Sequence, residues 1–316
     1  MAGIGKAGAF LGLVAAAFFS STALLAAPTY VPPAKSAPLL QDIDFSKASS
    51  SVFDDYRQQF VNCDGDGPAD IRDKVRASFR GYSVVRPKMP EDEQYYLCPA
   101  DKSNLRALLR LEDQGIFWHS KMALDYDGSW VTWTPDIEDA TAQKTTAVQW
   151  PGVADPQASQ IDPDRYPYIV IPAFVPGGLI GDRAVRAQLA GEFMSRTQLM
   201  PWDMGIVIYQ GKWTPVFIAD TGPFMKIGEA SVRVFEELGE SRCLRWDSAK
   251  KTRCVGKAKG ELPYENTGIA GDVLFIAWPN SAKAGDLTPD NAIKKICDFA
   301  MGKLKSLPVP PICKSR

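Results

Sequence analysis

Two carboxylates, Asp220 and Glu229, stand nine residues apart in the stretch ADTGPFMKIGEAS. Paired acids of this kind can cleave a glycosidic bond: one gives a proton to the leaving oxygen, and the other attacks or activates water. Gly222, Pro223 and Gly228 lie between them, residues that bend a backbone rather than build a core. The apolar run VFIA places Asp220 at the end of a buried strand, and Glu229 follows a glycine turn. The plainer reading of such a pair, on these residues alone, is a surface loop with two solvated acids. Lys121 and Lys226 stand near the acids and can lower a carboxylate pKa, or be merely solvated.

Other candidates surround this pair. Asp125 and Asp127 in LDYDG are read as pointing to opposite faces, one toward a groove and the other into a turn or solvent. A β-turn or weak calcium site is the alternative for that segment. Asp182 in GGLIGD binds substrate or caps its turn. Trp118, Trp130, Trp133, Trp202 and Trp213 could stack on sugar rings or belong to the core. Trp130 and Trp133, beside the Asp-Gly turn, are the preferred stacking pair. His119 is the sole histidine, and without a Ser or Cys nucleophile motif it reads as structural. The segment CDGDG (63–67) fails the EF-hand pattern, because Pro68 and Val75 occupy ligand positions; a tight loop beside a disulfide explains it better. One His and no CxxC pair argue against zinc, and neither metal nor cofactor is expected.

The elements that position these residues are mostly strands. GIVIYQGKWTPVFIAD reads as a hairpin turning at Gln210-Gly211, and YPYIVIPA and DVLFIAWP as buried strands. GIFWHSKMALDYDGSWVTWTP reads as two strands around an Asp-Gly turn. Helices are expected at SNLRALLRLED (Leu105, Leu108, Leu109, Glu112 on one face), at SVRVFEELG, and after a Thr288 cap with Ile293, Ile296, Cys297, Ala300 and Leu304 buried. Many short strands and few helices predict a mainly β (α+β) fold: a small closed or nearly closed β-barrel with peripheral helices.

Residues 1–27 carry Lys6 ahead of an apolar, Ala-rich run and read as a secretory signal peptide, with an uncleaved anchor as the alternative. Residues 28–50 form a Pro/Ser/Ala-rich, poorly ordered leader, and 51–316 a single catalytic domain in which 51–114 can form an N-terminal subdomain. Losing Lys6 takes the 36 basic residues to 35 against 37 acidic, a net charge of about −2, too balanced for a nucleic-acid binder. No later segment is apolar for long enough to span a membrane, so the mature chain is expected to be soluble, secreted or periplasmic; a monomer is expected, though no residue of the sequence argues for it. Six cysteines behind a signal peptide suggest three disulfides, paired locally as Cys63–Cys98, Cys243–Cys254 and Cys297–Cys313.

The segment FIADTGPFMKIGEASVRVFEELG resembles the signature of the fungal-type chitosanases, glycoside hydrolase family 75. In that family an Asp-Thr-Gly-Pro segment follows an apolar strand and a Gly-Glu-Ala-Ser segment opens the next helix. Here these are Asp220–Pro223 and Gly228–Ser231, with Ala219 where the family usually has Gly. KMALDYDG keeps the family's alternate acids as Asp125 and Asp127, and YPYIVIPAFVPGGLIGDRAV resembles the strand and Gly-Asp turn before the motif. The resemblance covers about residues 115–240. It implies a double-psi-like barrel and metal-independent, inverting endo-hydrolysis of β-1,4 links in chitosan. Asp220 and Glu229 would be the catalytic acids, with Glu229 as general acid and Asp220 as the base activating water. The reverse assignment stays open, because a helix start beside Glu229 would lower its pKa. Asp125, Asp127, Asp182, Thr221, Lys226, Trp130 and Trp133 would bind the sugar chain. A peptidoglycan-active double-psi barrel lytic enzyme and a non-catalytic expansin-like binder are the alternatives.

Overall fold

The computed structural model describes residues 29–64, 102–135, 137, 142–175, 183–248 and 251–314, and the backbone of three short strands between 78 and 99. Those strands, β1 (Ser78–Phe79), β2 (Tyr82–Val85) and β3 (Tyr96–Pro99), form a small antiparallel sheet. The other strands are β4 (Ala107–Arg110), β5 (Ile116–Asp125), β6 (Tyr168–Phe174), β7 (Met204–Tyr209), β8 (Lys212–Pro223), β9 (Glu229–Ser231) and β10 (Ile269–Ala277). They run in the order β10-β7-β8-β6-β9-β5-β4, and β10 also pairs with β5, which closes a six-stranded barrel with β4 attached outside it. The α-helices are α1 (Asp54–Cys63), α2 (Arg183–Thr197), α3 (Val232–Glu237), α4 (Ala292–Lys303) and α5 (Pro311–Lys314).

The barrel has an internal symmetry of pairing. Exchanging β5, β6 and β7 for β8, β9 and β10 leaves every neighbour relation unchanged. The parallel pair β5–β9 maps onto β8–β6, the antiparallel pair β5–β10 onto β8–β7, and β6–β9 and β7–β10 map onto themselves. Two parallel pairs related in this way are the expected double-psi-like pattern.

Period-two alternation builds the barrel from its sequence. Trp118, Ile169, Ile171, Val207, Val216, Ile218, Val273 and Phe275 pack in one cluster. The residues between them point the other way. Phe117, Ile206, Ile208, Leu274 and Ile276 pack under the stretch from Tyr30 to Ala48 and α4. Tyr168, Val170, Phe217 and Ala219 pack with Trp150, Trp202 and Ile293. The β7–β8 hairpin turns at Gln210 and Gly211, both at positive φ (47° and 79°), as a two-residue turn between right-twisted strands requires.

Four sequence expectations give way here. SNLRALLRLED supplies a strand, β4, rather than a helix. Leu105 and Leu108 enter the cluster around Trp118 while Ala107 and Leu111 enter the one around Phe117. A strand covered on both faces loses its polar/apolar alternation, and its leucines then mimic helical spacing. The second strand expected after the Asp-Gly turn is a 3-10 turn, Trp130–Trp133, because the Ser129 hydroxyl accepts from the Val131 N–H and starts it. The leader is ordered against the barrel from residue 29. Leu39 and Leu40 are buried, Ser49 bridges Arg110, and the Tyr30 hydroxyl meets His119 Nδ1 at 2.8 Å. Finally, α4 begins at Ala292, since Thr288 and Asn291 close a turn first.

Phe53, Tyr56 and Phe60 of the stretch 51–114 join the main core, so α1 packs on the barrel. Cys243–Cys254 and Cys297–Cys313 are disulfides as expected. The Cys63–Cys98 pairing and most of CDGDG lie outside the described residues. No helix among the described residues is long and apolar enough to cross a membrane.

Candidate active site

The two acids of the opening motif flank one residue of one strand. Strand β6 lies between β8 and β9, and Val170 is the register partner of Asp220 on one side and of Glu229 on the other. Residues aligned across a sheet share a face, so both carboxylates project to the same side. Glu229 also aligns with Ala123 on β5, and Asp125, two residues further on, shares that side.

A β-bulge puts Asp220 in this row. Ile169 pairs with Ile218, but the register then shifts and Val170 pairs with Asp220, with Ala219 as the extra residue. Strict alternation after Ile218 would send Asp220 toward the barrel interior. The bulge turns it outward, a use of bulges that recurs beside functional sites.

The glycines of the motif answer to the same geometry. A Cβ on Gly222 would lie 2.7 Å from Glu229 Oε2, so the Glu229 carboxylate rests directly against that backbone. Gly228 has φ +79°, and a Cβ there would meet the Lys121 carbonyl oxygen at 2.1 Å. The Gly228 carbonyl accepts from Ala123 N–H at 2.8 Å, which hands the chain into β9. Glu229 therefore sits in the short strand β9, two residues before Ser231 at the N-cap position of α3, close to a helix start as expected.

Backbone N–H groups hold three of the acids by one oxygen each. Asp220 Oδ1 accepts from Ala147 N (2.8 Å) and Thr221 N (2.7 Å). Asp127 Oδ1 accepts from Gln143 N at 2.6 Å, and Asp125 Oδ1 from Asp127 N at 3.0 Å. Glu229 is ion-paired with Lys226 at 2.6 Å. Burial, and then the Asp125 carboxylate, push the Asp220 pKa well above the usual range. Burial, then Asp127 and Glu229, do the same to Asp125. Burial raises Asp127 to about 7, against the lowering effect of the Gln143 N–H. The oxygens of Asp125, Asp127 and Asp220 lie within 4.8 Å of one another, a set that could hold a hard cation.

These acids line a cavity of about 670 Å³ together with Thr221, Lys226, Lys121 and Gln143. Asp125 and Asp127 both reach it, against the expectation that they face opposite ways: Asp125 ends β5, and Asp127 follows in the turn with its Oδ1 held by the Gln143 N–H. Trp130 and Trp133 do not line it. Trp130 donates to the Cys254 carbonyl at 3.0 Å with the Arg253 guanidinium 3.8 Å over its ring, and Lys144 covers Trp133. Trp118 stacks on Phe275, Trp202 on Phe217, and Trp213 is buried. Two aromatic residues line the cavity, buried Tyr126 and Phe174, the latter 47% exposed at the end of β6; the sequence singled out neither. The loop 142–148 was also missed; it contributes N–H donors through Gln143 and Ala147, and no residue type announces that role. Asp182 lies outside the described residues. His119 lies outside the cavity, between Tyr30 and Asp272.

The chain matches no protein-family model and no curated protein.

Proposed function

We propose that this chain is an exported endo-chitosanase that hydrolyses β-1,4 links by an inverting mechanism on Asp220 and Glu229. The observation that carries the reading is the row Asp220–Val170–Glu229, two carboxylates facing one cavity from strands on either side of β6. Strands one removed are about 9.6 Å apart at ordinary spacing. From that backbone spacing the Glu229 side chain leans back toward Gly222 of β8, and the inverting reading requires roughly 6.5–9.5 Å between the two carboxyls. The further acids Asp125 and Asp127 fit a substrate whose protonated amines make it a polycation. The two disulfides fit an oxidising compartment.

The geometry favours the reverse of the expected roles. Asp220 engages two N–H groups through Oδ1 alone, which leaves Oδ2 to carry the proton that burial and Asp125 favour. Glu229 is ion-paired with Lys226, an arrangement suited to a base that activates water. In the reaction Asp220 would protonate the leaving glycosidic oxygen while Glu229 takes a proton from water attacking the opposite face of the anomeric carbon. Phe174 would supply an apolar ring face to a bound sugar.

The test uses the mature chain and soluble chitosan. E229Q and D220N should each lower release of reducing ends by at least about a hundredfold with the fold retained. Near-normal activity in either rejects the pair. The first product anomer, read by proton NMR, should be inverted. With an aryl chito-oligosaccharide bearing a good leaving group, D220N should recover and E229Q should not; the opposite result restores the roles first expected. An anhydro product from peptidoglycan, or binding without turnover on every polymer, would favour one of the alternatives.

A further inference from the structure

Each acid of the trio Asp125, Asp127 and Asp220 spends one oxygen on backbone N–H groups, which fixes its orientation as outer partners do around metal ligands. The second oxygen of Asp125 is different in kind: Oδ2 is buried and has no hydrogen-bond partner, and the residue is only 9% exposed while lining the cavity. A buried carboxylate oxygen without a partner is costly, and three neighbouring carboxylates compound the cost. The Lys226 ammonium is engaged by Glu229.

We infer that Asp125, Asp127 and Asp220 form a binding site for a calcium-class divalent cation. No two of their ligand oxygens are more than 4.8 Å apart. With Ca–O bonds of about 2.3–2.6 Å, an ion at the centre of so compact a set reaches all three oxygens with at most small shifts of the side chains. Magnesium demands near-ideal octahedral geometry at about 2.1 Å and dehydrates reluctantly, so three carboxylates whose orientation is already fixed suit the more permissive calcium better. Hard carboxylate oxygens exclude soft metals from preference. The ion would occupy the free oxygen of Asp220, so its presence would block proton donation from that residue. The site goes beyond the hydrolytic reading, and it is measured without any polysaccharide.

The experiment is calorimetric titration of the mature, metal-stripped chain with calcium chloride and, separately, magnesium chloride near neutral pH. The expected result is one equivalent of Ca²⁺ with a Kd of roughly 10⁻⁴–10⁻³ M, and Mg²⁺ weaker by at least about tenfold. D125N and D127N should each weaken Ca²⁺ binding by at least about tenfold, while D298N, an exposed acid paired with Lys294, should not. Ca²⁺ should also raise the Tm of the unmodified chain in a concentration-dependent way, which serves if a variant fails to fold. Absence of saturable binding together with absence of a Tm shift overturns the site. So does binding that survives in folded D125N and D127N, or glucosamine binding in the cavity with no Ca²⁺ binding. Loss of hydrolysis in no way changes these readouts, so the two proposals fail separately.

Discussion

Gly222→Ala separates the proposed catalytic geometry from the fold. The added Cβ would sit 2.7 Å from Glu229 Oε2 and 3.2 Å from Val170 Cγ1. Ordinary contact begins near 3.4 Å, so the carboxylate must retreat by about 0.7 Å and the valine by about 0.2 Å. Gly222 has no positive φ, so the backbone tolerates alanine there. The closest obstacle is the end of a side chain, which can move, rather than backbone. A misplacement of about 1 Å can cost a catalytic group about a hundredfold. For 0.7 Å we expect kcat/KM on chitosan to fall roughly 10- to 100-fold, about 1.4–2.7 kcal/mol of transition-state stabilisation. Stability should change by less than about 1 kcal/mol, because Val170 shifts little. The assay is steady-state release of reducing ends alongside a urea melt of the same preparation. A folded G222A with full activity would refute the close approach of Glu229 to this backbone as a catalytic requirement. A variant that loses its fold would refute the claim that the side chain, and not the strand, yields.

Gly228→Ala should behave oppositely. Its φ of +79° costs about 1–2 kcal/mol for an L-residue, and its Cβ would collide with the Lys121 carbonyl, so a drop of several degrees in Tm is expected by calorimetry. Burial holds the His119 pKa below its ordinary 6.5 despite the Asp272 carboxylate. The unfolded chain therefore binds the proton more readily, so this stability is fully present above about pH 6.5 and is lost as pH falls from there through the folded pKa. Urea melts from pH 8 to 5 should show a steeper acid loss for the unmodified chain than for H119N. A parallel slope removes His119 from the account. Replacing both Cys297 and Cys313 with serine opens a loop of 16 residues and should cost about 3 kcal/mol in a non-reducing melt, with little change in the site.

The elements legible in the sequence are those whose local chemistry agrees with their packing. Gln210-Gly211 supplies the two positive-φ residues a tight hairpin needs, and α4 buries the apolar face read from Ile293 to Leu304. The misread elements are those where a distant partner decides. The leucines of β4 carry a helical spacing that holds no information about the two clusters covering that strand. Helix α2 carries Leu189, Phe193 and Thr197 at four-residue spacing, a stripe too narrow to stand out among its Arg, Gln and Glu residues without the barrel it covers. The leader is Pro- and Ala-rich, yet Tyr30 finds a slot between Phe45 and Phe117 that composition cannot foretell. In the site, residue type revealed the acids, whereas the N–H donors of Gln143 and Ala147 depend on a loop whose path leaves no mark in its side chains.

The double-psi pairing explains why the acids of one short motif can oppose each other at all. Consecutive antiparallel strands would place Asp220 and Glu229 on adjacent strands, about 4.8 Å apart, too close to hold a sugar ring and a water between them. Here β6, which precedes both in the chain, is threaded between β8 and β9. Val170 thus acts as a spacer of one strand's width, and the loop from Phe224 to Gly228 only has to cross over it. The bulge at Ala219 then supplies the half-turn of register that brings Asp220 to the cavity side. Were Ala219 to pair with Val170 in strict alternation, Asp220 would instead point toward the cluster of Ile169 and Ile218, burying a carboxyl among apolar side chains. The position of one small residue therefore decides whether this barrel presents a pair of acids or a single one.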